Sequence, residues 1–307
     1  MLPQNKGLLL VLFTGLISGV SIFLNKFAVS SFDPFQFTFL KNAVVAALLF
    51  SVLFLFSRWK SFSSLSKKNW LQLSAIGLVG GSIAFLLYFY ALKLTTAVNA
   101  GFLHKTLFVF ATLFAFFWLK EKPNKFFLLG GLLLLVGNFL IFSKLGSFSS
   151  ADVLIVAAVV LWAIENAYAK RVLKELSGLQ VAFGRMFFGS IFILAFLLFT
   201  NDLPNLATVS LAQWQWLGIT SVLLFGYVAT FYSGLKHIPV SHATAVLSIG
   251  QPITAFLSLL FASQVIAPLE AAGFVLLLAG TAAVVWSLLK TNAFAPHFQS
   301  RFFFRRK

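Results

Sequence analysis

Ten long apolar runs, separated by short polar breaks, make up almost the whole chain. In order they cover about Gly7–Leu24, Phe35–Phe56, Trp70–Leu92, Ala97–Trp118, Lys125–Phe142, Ala151–Ala169, Gln180–Phe199, Trp214–Leu235, Val240–Ala262 and Leu269–Leu289. A helix rises about 1.5 Å per residue, so runs of this length match a hydrocarbon core of roughly 30 Å. The breaks hold residues that stop helices: Asp33-Pro34 after the first run, Lys122-Pro123 after the fourth, and Asn201, Asp202 and Pro204 after the seventh. The pattern predicts transmembrane helices at every run.

The polar positions inside the runs carry a second pattern. In the fourth run Gly101, Lys105, Phe108, Thr112 and Ala115 share one helical face. A shift of 143 residues turns that face into Thr244, Ser248, Gln251, Ala255 and Ser258. The same shift carries Lys93 to Lys236, Gly130 to Gly273 and Gly137 to Gly280, and a shift of 144 carries Lys26 to Lys170, Gln36 to Gln180 and Lys41 to Arg185. The chain is therefore a duplication, with one unit over residues 1–145, a second over 146–290, and a basic cytoplasmic tail over 291–307. Five runs per unit is an odd number, so the second unit enters the bilayer from the opposite side. The expected fold is an all-α membrane protein of ten transmembrane helices in two inverted five-helix repeats (5+5). Inverted repeats are typical of carriers that alternate access around a central site.

Composition agrees. Of 307 residues 60% are hydrophobic and 10% charged, well short of the roughly one quarter charged in soluble domains. The net charge of +16 belongs to loops beside apolar runs, not to a nucleic-acid surface, so no nucleic acid is expected. With the amino terminus placed inside, 17 of the 23 Lys and Arg residues fall on the inner side, three on the outer side and three within runs. That imbalance predicts a multi-pass protein of the plasma (inner) membrane with both termini cytoplasmic. The first run leads into Lys26 without a cleavage pattern and reads as a mature helix. Phe302 to Lys307, aromatic and basic, read as an interfacial anchor.

There is no cysteine, and His and carboxylates are too sparse for a metal site. No glycine-rich phosphate loop is present, so neither ATP nor any other cofactor is expected, and energy would come from a proton gradient or from exchange. Loop acids are scattered at Asp33, Asp152, Asp202 and Glu270, which is too little for an enzyme.

The candidate site rests on charges inside the runs, since such charges are costly unless they face protein or water. Lys105 reads either as a snorkelling or paired lysine that fixes packing, or as a cation lining a cavity. Glu165 reads either as a partner of Lys170 or Arg171, or as a ligand for a substrate ammonium or a proton. The two charges either bridge directly or hold the carboxylate and ammonium of an amino-acid-like ligand. Trp162 and Asn166 share the Glu165 face and suit an organic ligand, as do Tyr88, Ser248 and Gln251. Lys41 and Arg185, near run ends, read as orientation or gating residues, and Pro252 as a kink in the ninth run. His104 points about 100° from Lys105, toward a neighbouring helix. The glycine pairs of the fifth and tenth runs read as packing seams that also offer a homodimer face.

Taken together, Gly19, Lys26, Lys41, Glu121, Gly130 and Gly137 in the first unit, and Trp162, Lys170-Arg171, Arg185, Gln251-Pro252, Gly273 and Gly280 in the second, resemble the ten-helix EamA-type transporters of the drug/metabolite transporter superfamily. The resemblance covers nearly the whole chain. It implies a secondary carrier, often an exporter of amino acids or other small polar or amphipathic metabolites, with a central cavity between the halves. The alternatives are a carrier of hydrophobic drugs or lipid-linked substrates, a membrane enzyme, and a non-transporting assembly subunit. The family tends to have proline in both the fourth and ninth helices. Here Val109 is the counterpart of Pro252, so a helix break is expected in the ninth helix alone. The second unit has Gln264 where the family usually has glutamate.

Overall fold

Each apolar run forms a helix, because a backbone in hydrocarbon must satisfy its own hydrogen bonds. In the computed structural model the helices are α1 (Pro3–Ser30), α2 (Pro34–Ser57), α3 (Lys67–Leu94), α4 (Ala97–Leu119), α5 (Lys125–Phe142), α6 (Ser150–Val172), α7 (Gly178–Phe199), α8 (Leu211–Leu235), α9 (Val240–Phe261) and α10 (Pro268–Ala293). A one-turn helix, Lys60–Ser63, lies between α2 and α3. The structure describes residues 2–57, 60–63, 65–142, 149–261 and 267–293. Arg58, Lys144, Gln264 and the Phe302–Lys307 tail lie outside the described residues, as does the boundary between the two repeat units. No strand occurs among the described residues, and nine helices are long and apolar enough to cross a bilayer, with α5 a shorter apolar one.

The inverted repeat is visible in which helices touch. Advancing each helix by five turns the α1–α8 contact into α6–α3, α1–α9 into α6–α4, and α2–α8 into α7–α3, and all six contacts exist. The pairs α2–α7, α4–α9 and α5–α10 map onto themselves. Each of these runs antiparallel, as inversion requires: Phe35 meets Phe196 while Phe50 meets Phe183, and Gly130 meets Gly280 while Gly137 meets Gly273. The glycine seams are thus used within the chain. A Cβ at Gly130 would lie 2.8 Å from the Gly280 carbonyl oxygen, so only glycine allows this approach.

Side-chain clamps repeat with the helices. Lys26, at the end of α1, donates to the carbonyls of Leu92 and Lys93, both at 3.0 Å. Its mate Lys170, at the end of α6, donates to Leu235, Lys236 and Ile238 at 2.6, 3.2 and 2.8 Å. These lysines satisfy the orphan carbonyls that end α3 and α8. One face of the molecule carries the amino terminus and the end of α10, and is called here the terminal face; the other is the distal face.

Candidate functional site

The site is organised by an irregular stretch of α3. From Gly77 to Ile83 the helix widens to π geometry. Widening shifts the backbone pairing and frees carbonyls, a feature that recurs at functional sites. Three neighbouring helices use them. Trp162 Nε1 of α6 and Arg185 Nη2 of α7 both donate to the Gly80 carbonyl, at 2.9 and 3.0 Å. Asn42 Nδ2 of α2 donates to the Gly81 carbonyl at 2.7 Å. The glycines let these helices approach: a Cβ at Gly80 would lie 2.7 Å from Glu165 Cγ, and one at Gly189 would lie 2.5 Å from the Gly81 carbonyl oxygen. Gly77 and Gly81 pack closely against α7, at Phe188 and Arg185, and further along α3 Phe85, Tyr88 and Phe89 form one wall of a cavity.

That cavity, of about 60 Å³, lies between the halves and is lined from α1, α2, α3, α4, α6, α7 and α8. Its cations are Lys41 and Arg185, related by the repeat. Lys41 Nζ donates to Asn25 Oδ1 at 2.7 Å and sits 4.1 Å from the Phe89 ring centre. Arg185 stacks over Phe85 at 4.9 Å, and its Nε has no hydrogen-bond partner among the described residues. Tyr88, His104 and Trp162 form an aromatic corner, with ring centres 5.2 to 5.8 Å apart. The Tyr88 hydroxyl and His104 Nδ1 are buried and likewise unpartnered. Among the described residues no carboxylate lines the cavity. Cations, unpaired donors and aromatic walls together suit an anionic group attached to an apolar body.

Of the residues singled out in the sequence, Tyr88, Trp162, Asn166, Lys41 and Arg185 line this cavity, and Lys105, Glu165, Ser248, Gln251 and Pro252 do not. Lys105 and Glu165 are each buried in a separate network, with no ion pair between them. Lys105 Nζ donates to Ser18 Oγ at 2.7 Å and packs against Gly250. Glu165 Oε1 accepts from the Tyr232 hydroxyl at 2.6 Å, and its Oε2 has no partner among the described residues. The two polar stripes of α4 and α9 meet each other, since Gly101 packs on Gln251, and Gln251 Nε2 donates to the Val98 carbonyl at 3.1 Å.

Helix interruptions flank the cavity in both repeats, which corrects the expectation of a break in the ninth helix alone. In α9 a 3-10 turn at Leu247–Ile249 precedes Pro252, whose ring lacks an N–H and crowds the carbonyl four residues back. In α4 the regular helix stops at Lys105 and resumes at Leu107. There the Thr106 hydroxyl donates to the Leu103 carbonyl at 2.7 Å, a local bond that competes with the helix ladder.

Comparison with known proteins places this geometry. The model of the EamA-like transporter family matches residues 5–143 and again 149–286. An uncharacterized transporter of Archaeoglobus fulgidus is 31% identical over 239 residues, covering 75% of this chain and 80% of that protein. The chain belongs to the EamA-like transporter family. YetK of Bacillus subtilis, also named an uncharacterized transporter, is 27% identical over 234 residues, covering 73% of this chain and 69% of its own. A protein crystal structure superposes with a TM-score of 0.69 at 17% identity, over 89% of this chain and 98% of that one, which concerns the fold alone. The chain is thus a multi-pass membrane transporter of the drug/metabolite superfamily rather than an enzyme.

In this EamA-like chain the terminal face is held by Glu121. Its Oε1 accepts from the Val240 amide at 2.8 Å, and its Oε2 from the Ser241 amide and hydroxyl at 3.1 and 2.7 Å. A carboxylate at a helix N-terminus is favoured by the helix dipole, so Glu121 ties the end of α4 to the start of α9. Sequence reasoning missed the α1 and α8 walls of the EamA-like cavity. Ser18, Ser21, Ile22 and Asn25 follow the i, i+3, i+4, i+7 pattern, and Tyr227 and Phe231 are four apart, so the spacing itself held the signal.

Proposed function

We propose that this protein is a secondary carrier that exports a small amphipathic, amino-acid-like metabolite by alternating access. The single observation that carries the reading is the cavity between the two repeats, with Lys41 and Arg185 as its cations, an aromatic wall that includes Trp162, and the Asn166 amide one turn along α6 from that ring. The substrate carboxylate would sit toward Arg185, its polar nitrogen toward Asn166 and Tyr88, and its apolar body against Trp162 and Phe85. Residues 1–145 and 146–290 would rock against each other around that point. A free volume of about 60 Å³ is far below the roughly 300–1,000 Å³ of ligand pockets, which fits a closed form that must open to admit cargo. Both termini would face the cytoplasm of the plasma membrane, as the charge bias favours. Glu165, a buried carboxylate with one oxygen unpartnered among the described residues, is the natural proton carrier if transport is coupled to protons.

Purified protein in sealed liposomes, loaded in turn with radiolabelled amino acids, nucleosides and sugars, tests the reading. Saturable efflux of a carboxylate-bearing compound, lost in Arg185→Gln, is the expected result. Efflux only of compounds without a carboxylate, or efflux indifferent to Arg185, overturns it.

A further inference from the structure

A second and larger pocket, of about 620 Å³, opens on the flank of the molecule, and its lining shares no residue with the central cavity. Its floor is the alanine stretch of α2, Ala43, Ala46 and Ala47, and its opposite wall is Phe183 and Phe187 of α7. Phe62 of the one-turn helix and Trp70 at the start of α3 close its terminal-face end. From Ala43 to Phe50 the pocket follows about 10 Å of helix, so it runs into the hydrocarbon zone. Phe50 and Phe187, 40% and 37% exposed, stand at the side where lipid lies.

The chemistry of the lining points to a hydrocarbon chain. Beside the indole N–H of Trp70, the polar groups of the lining are the hydroxyls of Ser63 and Ser190, and the Ser190 hydroxyl is already bonded to the Phe187 carbonyl at 2.8 Å. Water needs two or more polar partners to stay in such a space, and an apolar cavity without them takes an apolar guest. The volume lies within the range of ligand pockets, so the guest is a defined one and not a single methyl group.

Charge at the rim selects the head group. Lys67 and Lys68 open α3, and Lys67 lies three residues before Trp70, on the same helical face. Lys68 is engaged by Glu175 at 2.9 Å, whereas Lys67 is exposed and makes no hydrogen bond or ion pair among the described residues. A tryptophan and a lysine at the same level mark the membrane interface. We propose that the flank pocket between α2 and α7 binds an anionic phospholipid, with one acyl chain along Ala43–Phe50 and the head group at Lys67.

Native mass spectrometry of the full-length protein, titrated with phosphatidylglycerol and with phosphatidylcholine, tests this. One tightly held phosphatidylglycerol is expected on the unmodified protein. Ala47→Phe, at an exposed position on the pocket floor, should weaken it about tenfold by displacing chain methylenes. Lys67→Gln should cut the preference for phosphatidylglycerol over phosphatidylcholine by about fivefold and leave an adduct of each. Ala43→Leu is a smaller plug that decides the case if the phenylalanine variant does not fold. Equal phosphatidylglycerol affinity in the folded plug variants overturns the proposal. So does tighter phosphatidylglycerol binding after Phe302, Phe303 and Phe304 are replaced by serine, which would make the carboxyl-terminal tail the resident of the pocket.

Discussion

Lys41 and Arg185 stand at equivalent points of the two repeats, yet their surroundings differ. The lysine is held by Asn25 and by two aromatic rings, Phe37 and Phe89. The arginine donates to the Gly80 carbonyl, also interacts with Tyr232 and Glu165, and keeps its Nε without a hydrogen-bond partner among the described residues. Arg185 therefore has more to give a ligand. A hydrogen bond to a charged group contributes about 1.5–3 kcal/mol, so Arg185→Gln should raise the KM for a carboxylate substrate roughly 10- to 100-fold. An unchanged KM in folded Arg185→Gln would remove the guanidinium from the binding site. Lys105 should behave differently. Among the described residues it has one hydroxyl partner and no carboxylate, and a buried ammonium without a counter-charge carries a desolvation cost that an apolar chain of similar length does not. Lys105→Met is expected to melt at or above the unmodified temperature with KM unchanged. Loss of saturable flux in that variant would return Lys105 to the ligand. The sequence marked Lys105 because charge inside an apolar run is rare. It could not say which of α1, α6 and α9 the lysine would face, and that choice separates a cavity cation from a packing cation.

At the scale of elements, length and polarity alone located the helices, because hydrocarbon leaves the backbone no other way to bond. All ten runs match helices to within a few residues. The duplication was legible for a related reason: clamps such as Lys26 and Lys170 need a cation at the same point of each repeat. Irregularities were harder to read. Proline announces a break, but Thr106 breaks α4 through a hydroxyl bond that depends on one rotamer, and the widening at Gly77–Ile83 arises from neighbours that claim freed carbonyls. Two glycine substitutions measure how tightly that widened segment is packed. Gly80→Ala drives a methyl into Glu165 and should cost about 1–3 kcal/mol, read as a lower melting temperature. Gly218→Ala in α8 meets nothing within 4 Å and should melt no lower than the unmodified chain. Equal tolerance at both positions would mean that α3 and α6 are not locked together. Glu121→Gln weakens the cap on α9 by about 1 kcal/mol. Its expected readout is faster labelling by a thiol reagent of a cysteine placed at buried Ala243, outside the clamp, compared with the same cysteine variant with Glu121 intact.

For the whole molecule, the decisive matter is that one chain presents two related but unequal faces. On the terminal face Glu121 holds α9, Lys170 holds the end of α8, and Lys68 pairs with Glu175 at 2.9 Å. On the distal face Asn99 binds Asp152, and Gln36 donates to Asp202 at 2.9 Å. Both faces use full charges, since Lys26 and Lys93 also clamp carbonyls on the distal face, but the Lys68–Glu175 ion pair lies on the terminal face. Hydrogen bonds from Lys68 and then Asn69 hold the Glu175 carboxyl below the usual carboxylate range. A depressed carboxyl contributes stability that is present above its unfolded value and lost as pH falls through the folded one. The Lys68–Glu175 clip is therefore intact at neutral pH and opens only in acid. What the two faces do in a cell depends on which is inside. The basic loops of the terminal face predict that it is cytoplasmic. The chain has no cysteine, so a single introduced one gives a clean test. Lys174→Cys lies in the exposed α6–α7 connection of the terminal face, and Asn205→Cys in the exposed α7–α8 connection of the distal face. On intact cells a membrane-impermeant thiol reagent should label the Asn205 variant alone, and permeabilised cells should label both. Labelling of the Lys174 variant on intact cells would invert the orientation. The Glu121 clamp would then close the outer door and not the inner one.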